Sequence, residues 1–235
     1  MNVMRLKGGR LRLRFRRLPM TKSILPFLAF LCAALPVGAG EPVSLLSGDS
    51  LEAWTTKEGE APAAGWVMKG GVLHRKEKAG DLISKEEYSN FELEWEWKIA
   101  PGGNSGIKFW VTAIGKQMLG IEYQIIDDSG HSDALNNADH TVGCIYDLVE
   151  ASSDKKVNPP GEWNSSRVVA RDGKIEHWLN GQMVASADTA SDDYKERFAK
   201  SKYVKYEGFA PGHGKILIQD HGDEVWFRNM RVTRL

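Results

Sequence analysis

Residues 90–99 read Asn-Phe-Glu-Leu-Glu-Trp-Glu-Trp-Lys-Ile, so Phe91, Leu93, Trp95, Trp97 and Ile99 alternate strictly with Glu92, Glu94, Glu96 and Lys98. A period of two places all five apolar side chains on one face of a β-strand and scatters them around a helix. A strand with so much apolar bulk on one side and charge on the other needs a second layer to cover it. Glu92, Glu94 and Glu96 are read as the wet outer face of that strand rather than as paired catalytic carboxylates.

The rest of the chain repeats the same grammar in shorter runs. Trp66-Val67-Met68, then Lys69-Gly70-Gly71, then Val72-Leu73-His74 predicts a hairpin with a glycine turn. Residues 163–188 predict a three-strand meander, turned at Arg171-Asp172-Gly173-Lys174 and at Leu179-Asn180-Gly181-Gln182. Asp-Gly and Asn-Gly are the strongest short hairpin signals. Further strands are expected at 105–112, 122–127, 214–219 and 224–232. Between 189 and 202 the period changes, and Asp192 or Ser191 is placed to cap a short helix carrying Tyr194, Phe198 and Ala199. Many short strands and one short helix predict an all-β protein, an antiparallel β-sandwich of jelly-roll type.

Residues 1–39 carry eight Lys or Arg and no Asp or Glu, and the apolar run 24–35 ends before the small-residue stretch Val37-Gly38-Ala39. That pattern predicts a signal peptide over 1–39, with Met20 an alternative start, and a single mature domain over 40–235. An uncleaved anchor is a minor alternative, and Leu31 before Cys32 weighs against lipidation. The expected location is periplasmic or secreted. Removing the eight leader cations leaves 23 basic against 31 acidic residues, a net charge of −8. An acidic domain of this kind excludes nucleic acid and, after signal cleavage, an anionic membrane surface as partners. Cys144 is the one mature cysteine and sits in an apolar run, which predicts a buried core residue and excludes an intrachain disulfide.

Chemistry concentrates in residues 120–133, Gly-Ile-Glu-Tyr-Gln-Ile-Ile-Asp-Asp-Ser-Gly-His-Ser-Asp. Glu122 and Gln124 share a strand face. A bulge near Ile125-Ile126 is expected to bring Asp127 onto that face as well. Asp127 or Asp128, with His131 and Asp133, offers oxygen and imidazole ligands for a divalent cation, although the spacing matches no standard metal loop. No cofactor is required; a divalent cation is the one candidate. Asn104 stands at the start of the strand before, and Lys108 and Trp110 are expected to share a face suited to a sugar. His221, after Asp220 and ahead of Arg228, is a further acid/base candidate, with Asp220 expected to orient its imidazole. No nucleophile elbow, phosphate loop, dinucleotide fingerprint or Cys-x-x-Cys is present.

Five motifs occur in an order that resembles the 3-keto-disaccharide hydrolase domain family. They are Asn104-Ser105-Gly106-Ile107, Glu122-Tyr123-Gln124-Ile125-x-Asp127, Pro160-Gly161-Glu162-Trp163-Asn164, His177-Trp178-Leu179-Asn180-Gly181, and Gln219-Asp220-His221-Gly222 followed by Val225-Trp226-Phe227-Arg228-Asn229. The resemblance spans residues 45–235. It implies a concanavalin A-like jelly roll that cleaves glycosides oxidised at C3. Glu122-x-Gln124-x-x-Asp127 is also similar to the Glu-x-Asp-x-x-Glu strand of laminarinase-type glycoside hydrolases, with Gln and Asp replacing the second and third acids. For a 3-keto-glycoside the expected chemistry is C2 proton abstraction, elimination and hydration. Glu122 or His131 is the candidate base, with Asp127 and His221 in reserve. Lys108, Arg228 or a bound cation is expected at the carbonyl, and Asn104, Gln124 and Trp110 on the sugar. A non-catalytic carbohydrate-binding module or lectin and a conventional glucanase are the competing functions, both with an oligosaccharide or glycoside as partner.

Overall fold

The computed structural model describes residues 40–235, and the expected signal peptide lies outside the described residues. In chain order the strands are β1 (Val43–Ser44), β2 (Trp54–Thr55), β3 (Trp66–Lys69), β4 (Val72–Arg75), β5 (Leu82–Tyr88), β6 (Phe91–Ile99), β7 (Asn104–Ile114), β8 (Gln117–Ile126), β9 (Asn164–Arg171), β10 (Lys174–Leu179), β11 (Gln182–Asp188), β12 (Gly214–Ile218) and β13 (Val225–Arg234). They form two antiparallel sheets. The large one runs β11-β10-β9-β6-β13-β4-β3, with β1 added on β13, and the small one runs β2-β5-β12-β7-β8. The protein is therefore an all-β sandwich. Two short helices, α1 (Ser132–Asn136) and α2 (Asp192–Lys200), lie between strands, where the sequence predicts only the second. The N-cap of α2 is Ser191, whose hydroxyl accepts from the Tyr194 amide at 3.1 Å. Among the described residues, no helix is long and apolar enough to cross a membrane.

The alternating strand lies at the centre of the large sheet, between β9 and β13. Its apolar side chains face the small sheet: Trp95 meets Tyr123 edge-on at 5.0 Å and Phe91 meets Phe109 at 5.8 Å. Edge-on contacts suit the ring quadrupoles and add to the area they bury. The acidic row on the outer face is paired across strands, with Arg167 on Glu92, Arg231 on Glu94 and Arg228 on Glu96. Cross-strand opposite charges stabilise a sheet where a bare acidic row would repel. The two hairpin turns work as their dipeptides suggest. Asp172 and Gly173, like Asn180 and Gly181, all have positive φ, which matches the twist of the flanking strands.

One irregularity in the small sheet decides which side chains reach the outside. Pairing of β7 on β8 is unbroken from Asn104↔Ile126 to Phe109↔Ile121, and the register shifts only between Phe109 and Thr112. The bulge thus lies in β7, not at Ile125-Ile126. Trp110 takes φ 51° there, so its side chain joins Phe109 in the core, and its indole N–H donates to the Ser89 carbonyl at 2.8 Å. The expectation that Trp110 shares a face with Lys108 and stacks on sugar is corrected: the bulge turns it inward.

The free edge of β8 is covered by residues 143–146. Gly143 N–H donates to the Gln124 carbonyl at 2.9 Å and Tyr146 N–H to the Glu122 carbonyl at 3.1 Å. Cys144 is fully buried in this segment, and burial pushes its thiol well up. The segment is anchored from below by His177 on β10. That ring is fully buried, and Nδ1 lies 3.1 Å from the Gly143 carbonyl and 3.2 Å from that of Cys144. Both partners are acceptors, so Nδ1 carries the hydrogen.

Desolvation lowers the His177 pKa from 6.5 to about 4 against the opposing pull of the two carbonyls. The folded state keeps this ring neutral where the unfolded chain would protonate it. The resulting stability is complete above pH 6.5 and is lost as pH falls toward 4. The difference amounts to roughly 3 kcal/mol at 1.36 kcal/mol per unit. Urea denaturation at pH 7 and pH 4 should show a stability drop that is larger in the wild type than in His177→Gln by about that amount. Equal pH dependence in the two proteins would refute the assignment.

Candidate functional site

The unbroken β7–β8 register builds a polar floor on the outer face of the small sheet. Lys108 sits opposite Glu122, and Gly106 sits opposite Gln124. On the other side of β7, Leu217 lies beside Lys108, and the Gln219 amide donates to the Gly106 carbonyl at 2.9 Å. Two rows result: Leu217, Lys108, Glu122 and Gln219, Gly106, Gln124. Gly106 is the gap between the side chains of the second row. A Cβ there would lie 2.1 Å from Gln219 Oε1 and 3.0 Å from Glu122 Oε1.

The floor opens into a cavity of about 310 Å³. Tyr146, from the segment that covers β8, forms one wall. The 3₁₀ turn Lys202–Lys205 after α2 supplies Lys202, Tyr203 and Lys205, with Tyr206 just beyond. Asn104 and His221 also line the cavity. Glu122 is 5% exposed, and its Oε2 lies 3.6 Å from Lys108 Nζ. A carboxylate this far out of water is offset by a nearby cation, and Lys108 is the one within 4 Å. Two buried oxygens, Asn104 Oδ1 and Gln219 Oε1, have no hydrogen-bond partner in the protein. Buried acceptors of that kind mark places where a donor from outside fits. The side-chain Oε1 of Gln124 accepts from the Ile125 amide at 3.2 Å, which leaves the NH₂ of this cleft-lining side chain as a donor.

The walls are charged as well as aromatic. Lys202 Nζ lies 3.9 Å from the centre of the Tyr146 ring and 5.2 Å from that of Tyr203. Desolvation holds the Lys202 ammonium below its ordinary range, although Glu122 and Asp147 pull the other way. Burial pushes the Tyr146 and Tyr203 hydroxyls up, and for Tyr146 its bond to Asp133 adds to the effect. Behind Tyr146 stands a polar brace. Its hydroxyl donates to Asp133 at 3.0 Å, and Asp133 also holds His140 Nδ1 at 2.7 Å. The His140 ring stacks on Tyr146 at 4.1 Å. Burial would raise the Asp133 carboxyl, but bonds from His140 and Tyr146 outweigh it and hold the group low.

Of the residues singled out from sequence, Glu122, Gln124, Lys108, Asn104 and His221 meet in this cavity. Five others do not. Asp127 lies past the end of β8. Its carboxylate accepts from Gly102 N–H at 2.7 Å and from the Ser129 amide and hydroxyl, closing a turn. Burial favours the neutral acid, yet these donors hold its pKa below the usual range. With no bulge in β8, nothing carries it round to Glu122. His131 is the N-cap of α1, and its Nδ1 accepts from the Asp133 amide at 3.1 Å, so that nitrogen is committed to the backbone. Arg228 belongs to the other sheet, where it pairs with Glu96 and stacks 4.0 Å from the Trp163 ring.

The metal candidates separate too. Asp128 accepts from Val142 N–H at 2.7 Å and pairs with Lys155 at 2.9 Å, while Asp133 braces Tyr146. Among the described residues, Asp139, His140 and Asp147 are the group whose ligand atoms come within 4.8 Å of one another. Asp220 does not orient His221. It is consumed by Arg75 at 2.7 Å and by the amides of Ala79, Gly80 and Gly222. Sequence reasoning missed Gln219, Tyr146, Lys202, Tyr203 and Lys205. The repeated Lys-Tyr pair in Lys202-Tyr203-Val204-Lys205-Tyr206 was the one visible signal.

The comparisons with known proteins agree with this architecture. Residues 41–233 match the family described as the 3-keto-alpha-glucoside-1,2-lyase-like domain. A 3-keto-disaccharide hydrolase from Bacteroides thetaiotaomicron is 28% identical, over 86% of this chain and 81% of its own length. A crystal structure of a candidate glycosyl hydrolase from Parabacteroides distasonis superposes with a TM-score of 0.76 at 33% identity. It covers 83% of this chain and 94% of the other. A second candidate glycosyl hydrolase from the same organism gives 0.66 at 27% identity, covering 83% and 100%.

Gly106→Ala tests the floor. Its Cβ must displace the Gln219 amide, a flexible side-chain end, so the protein should fold with a loss of about 1–3 kcal/mol, the cost of one added methyl. Glycoside binding measured by calorimetry should weaken at least about tenfold, or 1.4 kcal/mol. Unchanged binding would mean that the Gly106 gap holds no part of the ligand.

Proposed function

The chain belongs to the 3-keto-alpha-glucoside-1,2-lyase-like domain family, and on that premise we propose that it cleaves glycosidic bonds of 3-keto-glycosides in the Glu122 cleft. One observation carries this reading. Among the described residues lining the cleft, Glu122 is the only carboxylate. A retaining glycosidase needs two carboxyl groups about 5–5.5 Å apart, and an inverting one needs two at about 6.5–9.5 Å. Asp127, the second acid of the strand motif, is locked into its turn. A single base beside a cation suits a different chemistry.

A ketone at C3 acidifies the proton on C2. Glu122 removes that proton, and negative charge gathers on the C3 oxygen. Lys108, 3.6 Å from the base, is placed to stabilise it. The electron pair then forms the C1–C2 double bond and expels the C1 substituent, which takes a proton from His221 at the cleft mouth. Water adds to C1 of the enone and returns its proton to His221, while Glu122 gives its proton back to C2. The sum is 3-keto-glycoside plus water to 3-keto sugar plus alcohol. Gln124, Gln219 and Asn104 face the sugar hydroxyls, and Gln219 and Asn104 supply the two unpartnered acceptors. General base and acid each contribute about 10²–10⁴-fold. The basic and apolar composition of residues 1–39 supports export to the periplasm or beyond.

The mature protein should release sugar from 3-keto-trehalose or a 3-keto-β-glucoside and leave unoxidised laminarin intact. Glu122→Gln should lower kcat on the keto substrate by about 10²–10⁴-fold. Hydrolysis of laminarin that depends on Glu122, or full keto-glycoside activity in the variant, would overturn the proposal. Tight glycan binding without any turnover would indicate a lectin.

A further inference from the structure

The Glu122 cleft does not end at its own walls. Lys108, Gln117 and Leu119 also line an adjoining trough of about 450 Å³, which Lys57, Lys116 and Asp81 help to bound. A hydrogen bond at 3.2 Å from Gln117 to the Tyr206 hydroxyl spans the rim of the cleft. Together the two hollows are lined by five lysines, Lys57, Lys108, Lys116, Lys202 and Lys205, and by three carboxylates, Glu58, Asp81 and Glu122. Among the described residues, only Lys108 of those five has a carboxylate within 4 Å. Elsewhere the balance is reversed. Residues 40–235 carry a net charge of −8, and the arginines facing out from the large sheet at 167, 228 and 231 are each paired with a glutamate.

Unpaired ammonium groups clustered in a concave surface of an acidic protein create a local positive field that attracts and seats anions. The acids nearest Lys202 are already committed. Glu122 pairs with Lys108 at 3.6 Å, Asp147 accepts from the Lys202 backbone amide at 2.7 Å, and Asp133 holds Tyr146 and His140. Lys202 itself rests on the Tyr146 and Tyr203 rings, and Lys205 on Tyr206, so both ammonium groups are held at the cavity by aromatic faces. Lysine acts here as a point charge that any oxyanion satisfies.

Resting on the reading of the cleft as a glycoside site, we propose that the favoured substrates carry a negative charge. The charge would sit on a sugar ring, as a uronate carboxylate or a sulfate ester, between Lys202 and Lys205. Lys57 and Lys116 add to the field that draws it in.

The test separates this proposal from the catalytic one because it measures binding of unoxidised sugars. The wild-type mature protein is titrated by calorimetry with a neutral glucose disaccharide, a glucuronate-containing disaccharide and a sulfated disaccharide. At least one anionic ligand should bind about tenfold or more tightly than the neutral one, equivalent to 1.4 kcal/mol. The advantage should shrink as salt rises, as screened charges require, and vanish in Lys202→Met/Lys205→Gln. The two anionic arms distinguish carboxylate from sulfate. Equal binding of all three ligands, binding of none, or an advantage that survives in the double variant would overturn the proposal. Anion preference without turnover of any 3-keto substrate would sink the catalytic reading and leave this one standing. Turnover with a neutral preference would do the reverse.

Discussion

The pairing of β7 on β8 is the constraint on which the rest of the site depends. Six consecutive residue pairs keep one register, and this sets Lys108 beside Glu122 and Gly106 beside Gln124. A shift of one residue would send every one of these side chains to the opposite face. The bulge that follows is placed where it does no harm to the floor. It turns Trp110 into the core beside Phe109, and the sandwich gains a large buried ring where the outer face would have had an exposed one.

Burying Glu122 is the main energetic cost of this arrangement. A carboxylate at 5% exposure loses much of its hydration, and its close cation is Lys108. The surrounding amides are only partly satisfied, with Asn104 Oδ1 and Gln219 Oε1 left without protein partners. A merely structural network tends to close its hydrogen bonds, as Asp127, Asp128 and Asp220 do with backbone amides and basic side chains. Of the four buried side-chain atoms left open among the described residues, Trp95 Nε1 and His177 Nε2 lie in the core, while Asn104 Oδ1 and Gln219 Oε1 belong to residues lining the cavity, where a ligand can complete them.

Much of the fold was legible because local rules agreed with one another. Strict alternation over residues 90–99 marked the central strand, and Asp172-Gly173 and Asn180-Gly181 marked turns whose positive φ only such residues adopt readily. The floor was legible for a related reason: Glu122 and Gln124 stand mid-strand between apolar neighbours, where polar side chains need a purpose. Asp127 and Trp110 were misplaced because a bulge depends on the partner strand: the slip at Ile125-Ile126 is paired without a break, and the bulge lies in β7 opposite Gly120. His131 and Asp220 looked like chemistry but serve as cap and turn, since short-range polar bonds leave the same composition signal. The walls were barely legible, with the repeated Lys-Tyr pair at 202–206 the one hint. Tyr146 and Lys202 come from segments far along the chain, and only the tertiary fold brings them over β8.

The central claim is that a 3-keto-glycoside reacts against Glu122 on this floor. A crystal structure of Glu122→Gln with a 3-keto-disaccharide bound tests it most directly. The account predicts the keto sugar over Gly106, with C2 against the side chain of residue 122 and the C3 oxygen toward Lys108. A sugar lodged instead in the hollow between Trp97, Asp127 and Pro160, or on the Trp163 and Trp226 face of the large sheet, would contradict it.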